Sequence, residues 1–527
     1  MPTGRNGDAQ RPDRLGYDRF GVRMRRILLI SAALLPFAAG CATPARVRAP
    51  EATPPVAYQV PQPDTGGLQL AALDDWWKLY HDDQLDTLVG LALANAPDQK
   101  DAFARLQQAA AIRHETLDQL YIPSGSISGS ATRTHTTVLG GSSGFGVGAG
   151  GFVSGGDADS YNGSFDVSWE LDLFGRRAAG RKSADADFYT AAFTYEATRT
   201  SLIANVAQSL FQARGLALQL RDATETARIA HELERVATVK SDHGLGPRGD
   251  ADQAVANAEA DDAQVESLRA QLETARRTLL VLIGKGFDPL DNLLADPVVS
   301  QPPPVPTTAP GELLRRRPDV REAEWRIISA AGTLKTDELA LLPTIKLQPG
   351  VTLSKSTGAF GFSDAAWSIG AGLTQPVLDR PRLVAQIHAQ RAVAEEDVIA
   401  YEKAVQTAYS DAEQAFVYLD SDTRRVKMLT DAEQRAESAY QAARTGYSRG
   451  ITDLAATLQA ETTWRSTRTQ LTNAQSTLMQ RSVQVFKALG GGWAPDQPGA
   501  TTPYASKASQ GAVTVPLAAA AAGKGGT

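Results

Sequence analysis

The chain has 527 residues, a formal net charge of −6, six histidines and a single cysteine. That balance, with a pI of about 5.7, excludes a general basic surface for nucleic acid, and one cysteine excludes an intramolecular disulfide. Histidines at 81, 114, 135, 231, 243 and 388 have no metal-ligand spacing, and no phosphate-binding lysine loop occurs, so no metal, no cofactor and no enzymatic activity are expected.

At the start, Arg25 and Arg26 precede an uncharged run, 27–39, of 13 residues. That length suits the core of a secretion signal and falls short of the ~20 residues that span a bilayer. Met24 stands directly before the arginines and is a candidate true start. Ala38, Ala39 and Gly40 suit a signal peptidase, giving a cleaved signal region over 1–40. Followed by Cys41, these residues resemble the bacterial lipoprotein box, with Ala38 where the box usually has leucine. The resemblance implies a diacylglycerol on the Cys41 sulfur and an acyl chain such as palmitate on the new amino terminus. An ordinary signal with an incidental cysteine is the alternative. Ala42 is not the aspartate that resembles an inner-membrane retention signal. Several acyl chains anchor firmly, because each buried CH₂ contributes ~0.8 kcal/mol. Residues 41–70 read as a lipidated linker.

Residues 71–299 read as a first repeat: a helical start, strands at about 124–138 and 161–173, a long helix at about 177–243, and a helix at about 250–284. In YNGSFDVSWELDL (161–173), Tyr161, Phe165, Val167, Trp169 and Leu171 alternate without a break against Asn162, Ser164, Asp166, Ser168 and Glu170. A period of two marks a strand with two different faces, and the run is long enough for a tilted membrane strand. Mean hydropathy, −0.24, does not decide against this, because membrane barrels hide from such averages. The strand pair brackets a glycine–serine loop, 140–156, read as flexible. Its Gly146, Gly148 and Gly151 satisfy GxGxxG, but they lead into a strand, with no helix amino terminus for a pyrophosphate. No proline occurs between Pro123 and Pro247.

A stiff connector, 300–311, contains five prolines. Residues 312–493 read as the second repeat: a helix, strands at about 344–354 and 366–377, a long helix at about 383–445 and a helix at about 453–490. Here Trp367, Ile369, Ala371 and Leu373 alternate with Ser368, Gly370 and Gly372, while Pro349 disturbs the preceding strand. From 383 to 445 there is neither glycine nor proline. Apolar positions Val398, Tyr401, Val405, Ala408, Ala412, Ala415 and Leu419 advance by threes and fours, the spacing of a coiled coil. The halves match at fixed offsets: Gly244 with Gly450, Ala254 with Ala460 and Gly284 with Gly490 differ by 206, and Phe211 with Phe416 by 205. Internal repetition on this scale outweighs any single motif. The tail, 494–527, is rich in Ala, Gly, Ser and Thr and reads as disordered.

Four strands cannot close a barrel, and an open edge in lipid leaves backbone groups unpaired at several kcal/mol each. Several chains must therefore share one barrel; two would supply eight strands, whose interior side chains fill, and three would supply twelve, enough for a lumen.

Several motifs then carry a resemblance: DDWWKLYHDDQLDTLVGLALANAPD (74–98), WELDLFGR (169–176), LLRRRPDVREAE (313–324), TQPVLDRPR (374–382) and ALGGGW (488–493). Together they are similar to the outer-membrane efflux lipoproteins of the TolC-like family, in the nodulation-factor and multidrug-resistance branch. The resemblance implies a mixed α and β fold. It implies a homotrimer with a twelve-stranded β-barrel in outer-membrane lipid, four strands per chain, continuing into a long periplasmic α-helical barrel. It also implies a periplasmic adaptor (membrane-fusion) protein and an inner-membrane pump of the resistance-nodulation-division type as partners. The expected function is a passive exit duct for small molecules such as drugs, shut at its periplasmic end. By the same resemblance that end is formed by the turns at 240–252 and 445–459. Tyr447, Arg449, Asp453, Asp250 and Asp252 are candidates for the aperture. At the level where some relatives carry an acidic ring stands Gln459, which is neutral, leaving Asp453 to take that place. Replacing Tyr447 by Phe or Asp453 by Ala is expected to raise leak. Two other readings stay open: a duct for type I protein secretion, and a lipid-anchored periplasmic coiled-coil scaffold.

Overall fold

The computed structural model describes residues 47–59, 70–136, 156–293, 296–297, 301–306, 309–357 and 361–495. The signal region, Cys41, the GxGxxG stretch and the tail beyond 495 lie outside the described residues. Along the chain run α1 (Asp83–Asn95), α2 (Pro97–Tyr121), β1 (Ser124–Thr136), β2 (Gly156–Leu171), α3 (Arg176–Asp242), α4 (Arg248–Leu282), α5 (Pro310–Arg316), α6 (Pro318–Leu339), β3 (Thr344–Thr357), β4 (Phe362–Thr374), α7 (Arg380–Ser448) and α8 (Leu454–Ala488). The order helix, strand, strand, long helix, shorter helix occurs twice.

Some ends differ from the sequence-based ones for local reasons. β2 stops at Leu171, before the expected 173, because Asp172 Oδ1 accepts from the Gly175 and Arg176 N–H groups at 2.8 Å each and turns the chain into α3. β4 stops at Thr374, not 377, ahead of Gln375, whose Nε2 donates to the Leu341 carbonyl at 3.0 Å. α7 begins at Arg380 and takes Pro381 into its first turn, where a missing N–H costs nothing.

The chain divides into two compact units. One holds all four strands, in antiparallel order β1-β2-β3-β4. The register sets Ile127, Phe165, Val351 and Trp367 in one row across the sheet, and Gly163, Leu353 and Ala365 in another row of the same face. Ser128, Ser164 and Thr352 form a row of the opposite face. Pro349 has no N–H to give, and the β2–β3 ladder skips the level of Val167 and Ser168. It keeps its pairing with Ile369 on the β4 side, and the register does not slip. A small cluster of Leu334, Leu341, Leu383 and Ile387, with Val47 packed on it, completes this unit.

The other unit is helical. Its core stacks Trp76 on Phe486 at 5.3 Å and sets Tyr80 against Phe211 at 5.1 Å. Trp493 Nε1 donates to the Arg316 carbonyl at 2.8 Å, and the Gly492 N–H to the Leu73 carbonyl at 2.9 Å. Motifs from the start, middle and end of the chain thus meet in one place. Gly284 and Gly490, matched by the repeat, follow α4 and α8 with φ of +74° and +73°. A Cβ on Gly490 would stand 2.6 Å from the Arg316 carbonyl oxygen, and one on Gly284 would strike that of Asn95. Both demands, left-handed backbone and close approach, require glycine. Along α7, Val398, Val405, Ala408, Ala412 and Ala415 are buried at the expected steps. Residues 48–59 lie along the same helix: Arg48 pairs with Glu395 and Glu402 at 3.0 Å, and Tyr58 stacks on Tyr409 at 5.9 Å.

Candidate functional site

Two places in the chain lack an ordinary globular explanation. The first is the sheet. Ile127, Trp367, Ile369 and Leu373 are 85%, 79%, 66% and 69% exposed, all on one face. The strand order leaves the outer edges of β1 and β4 unpaired. From Tyr161 to Leu171 the apolar face extends about 33 Å along the strand, which at the tilt of a membrane barrel is an apolar band about 25 Å tall. No helix among the described residues is long and apolar enough to cross a membrane. Water would penalise this uncovered face; lipid would not.

The second place is the pair of turns joining long to shorter helices. After α3, Gly244 adopts φ +70° and the Leu245 N–H returns to the Lys240 carbonyl at 2.7 Å. After α7, Gly450 adopts φ +76° and the Ile451 N–H returns to the Gly446 carbonyl at 2.8 Å. These are the same helix-ending motif twice. In each, the next residue is a bare hydrophobe: Leu245 is 78% and Ile451 79% exposed.

Tyr447 is buried, not presented at the surface. Its ring packs in a cluster with Leu233 and Ala237 of α3, Ala254 of α4 and Leu454 of α8. The Lys240 ammonium lies 3.7 Å over the ring, a cation–π contact between the two helical hairpins. Nearby, Arg444 of α7 pairs with Glu232 of α3 at 2.7 Å. Asp453 caps α8, accepting from the Ala456 N–H at 2.7 Å. Arg449, Gln459 and Asp252 are exposed and Asp250 is half-buried in the first turn of α4. Arg449, Asp250 and Asp252 make no side-chain ion pair with the described residues. Gln459 is neutral, while Glu461, two residues further along α8, is buried. Burial pushes the Glu461 carboxyl up to about 7, Arg465 opposing and Asp261 adding to the rise. Glu461 Oε1 has no hydrogen-bond partner among the described residues. Lys240 and Glu461 were missed from sequence because their roles depend on partners some two hundred residues away. Leu245 and Ile451 were missed as well, although the offset of 206 that they share with the repeat was a signal for them.

The outer membrane efflux protein family profile matches residues 88–285 and again 309–491. The chain is 28% identical over 483 residues to the pyoverdine export outer membrane protein OpmQ of Pseudomonas aeruginosa, covering 90% of this chain and 98% of OpmQ. It is 26% identical to the toluene efflux pump outer membrane protein TtgC of Pseudomonas putida, covering 88% and 96%. Its fold is that of the outer-membrane channel OprN, with TM-score 0.72 and 27% identity over 86% of this chain and all of that one. The fold is also that of the Campylobacter jejuni channel CmeC, with TM-score 0.74 and 22% identity over 87% of this chain and 96% of CmeC. The chain belongs to the outer membrane efflux protein family, the TolC-like channels, and is an outer-membrane transport duct, not an enzyme.

Proposed function

We propose that three copies close their sheets into one twelve-stranded barrel that continues into a periplasmic helical barrel. The assembly is a passive exit duct for small molecules, gated where the two turns lie. The observation that carries this reading is the sheet with one uncovered apolar face and two open edges. Lipid accepts the face, and only strands from other copies satisfy the edges. Relatives named for pyoverdine export and toluene efflux favour small organic cargo over a polypeptide. Energy comes from an inner-membrane pump of the resistance-nodulation-division type, reached through a periplasmic adaptor. The exposed Leu245 and Ile451 tips suit an apolar docking surface on that adaptor. Cys41 carries the lipid anchor; Val47, six residues on, packs into the sheet-bearing unit, which supports an anchor close to the membrane.

Purified from outer membranes in detergent, the protein is expected to be a heat-modifiable trimer. In planar bilayers it should conduct weakly until the Lys240–Tyr447 contact is removed. A water-soluble single chain would overturn the reading.

A further inference from the structure

We propose that an acidic stripe on α4, Glu259, Asp262 and Glu266, is the docking surface for a second copy of this chain, engaged by Arg425 and Arg435 on α7 of that copy. This rests on the trimeric reading above and names its interface.

Inside one chain, the hairpin α3–α4 packs on the hairpin α7–α8 through ion pairs of constant polarity. Asp222 meets Arg468 at 2.9 Å, Glu232 meets Arg444 at 2.7 Å, and Asp261 meets Arg465. The acid always stands on the first hairpin and the base on the second. Around these pairs α3 lies against α8, with Gln219 bonded to Asn473 at 2.8 Å and Gly215 too close to Ser476 to carry a side chain.

The repeat fixes what the outer flanks present. α4 and α8 are both 35 residues long and run in step at an offset of 206, with Ala251 and Thr457, Ala258 and Trp464, Leu268 and Ala474 buried at matching positions. The residues of α4 that match Arg465, Arg468 and Thr472 are Glu259, Asp262 and Glu266, all exposed. Along α3 and α7 the offset passes from 205 at Phe211 to 206 from Leu220 on, where Leu220 and Val426, Ala223 and Leu429, Ala230 and Ala436 are buried or half-buried at matching positions; in that register Gln219, Asp222 and Ile229 match Arg425, Met428 and Arg435, which are exposed. So the α3 face that receives α8 has a counterpart on α7, and the α8 face has a counterpart on α4. These two counterparts have opposite charge and no cover in the single chain. Asp262 takes only the exposed His231 Nε2 at 3.0 Å, and Glu266 its helix neighbour Arg269 at 2.5 Å. Arg425 and Arg435 hold no ion pair with the described residues.

At the matched levels the first hairpin thus presents carboxylates on both flanks and the second presents guanidiniums on both. A first hairpin meeting another first hairpin would set carboxylate against carboxylate. Only strict alternation, first against second around the ring, pairs every flank with its opposite, and a head-to-tail contact of that kind closes into a ring.

The test uses the full-length, membrane-extracted protein. R425E/R435E is expected to lower the trimer fraction about tenfold, since like charges facing each other at an interface cost several kcal/mol. E259R/D262R/E266R should do the same. All five substitutions in one chain should restore the trimer, and a short bis-maleimide should join M428C of one copy to D262C of the next. Wild-type-like trimer in both single-stripe variants overturns the proposal. So does loss of trimer with native helical circular dichroism and no recovery in the combined variant. A wild-type chain that is itself not trimeric overturns the proposed function as well, which separates the two failures.

Discussion

Tyr447 makes its contacts with the ring, not the hydroxyl. Lys240 sits on the ring face, and Leu233, Ala237, Ala254 and Leu454 surround it. The sequence suggested that Tyr447→Phe would loosen the aperture. The geometry revises this: Tyr447→Phe keeps ring and cation and should leave single-channel conductance unchanged. Tyr447→Ala removes a buried aromatic worth about 3 kcal/mol or more and should hold the pore open. Equal conductance in Tyr447→Ala and wild type would count against a gating role. A few residues away, the buried Glu461 carboxyl titrates near 7 in the folded chain, against an ordinary 4.5 when unfolded. The folded state then holds a proton that the unfolded state has lost, so stability falls as pH rises from 4.5 to 7. Glu461→Gln removes this penalty. Its gain over wild type should be absent near pH 4, grow across that window and level off at up to about 3 kcal/mol. A thermal-unfolding difference that is flat from pH 4 to 8 would refute it.

At the scale of elements, the strands were the part most open to reading from sequence. In β2 each side chain's face follows from its parity alone, so YNGSFDVSWELDL declared both surfaces without knowledge of any partner. β1 was weak on the page because Gly125, Gly129 and Ala131 occupy the apolar face around Ile127; its membership comes from pairing with β2. The long helices were legible from missing prolines and three–four spacing, and the two turns from the repeat. What escaped was anything fixed by packing between the hairpins: the burial of Tyr447 and Glu461, and Lys240 as a partner. The two-faced sheet makes its own prediction. Ile369→Arg, on the apolar face mid-strand beside Pro349, should destabilise the barrel by about 2–4 kcal/mol and lower the temperature at which the heat-modifiable band disappears. Ser368→Arg, one residue over on the opposite face, should leave that temperature almost unchanged. Equal effects at both sites would mean the faces do not meet different solvents.

For the whole molecule, the amino-terminal segment has a mechanical meaning. Arg48 and Tyr58 bind residues 48–59 along α7, and Val47 is set in the cluster of Leu334, Leu341, Leu383 and Ile387. Only six peptide steps separate Val47 from Cys41, at most about 21 Å of extended chain. With the proposed lipid at its end, a leash that short would act as a depth stop. Were Cys41 to carry the proposed lipid and seat it in a leaflet, the molecule could not slide along the bilayer normal by more than the leash allows, whatever pull the proposed pump exerted from below.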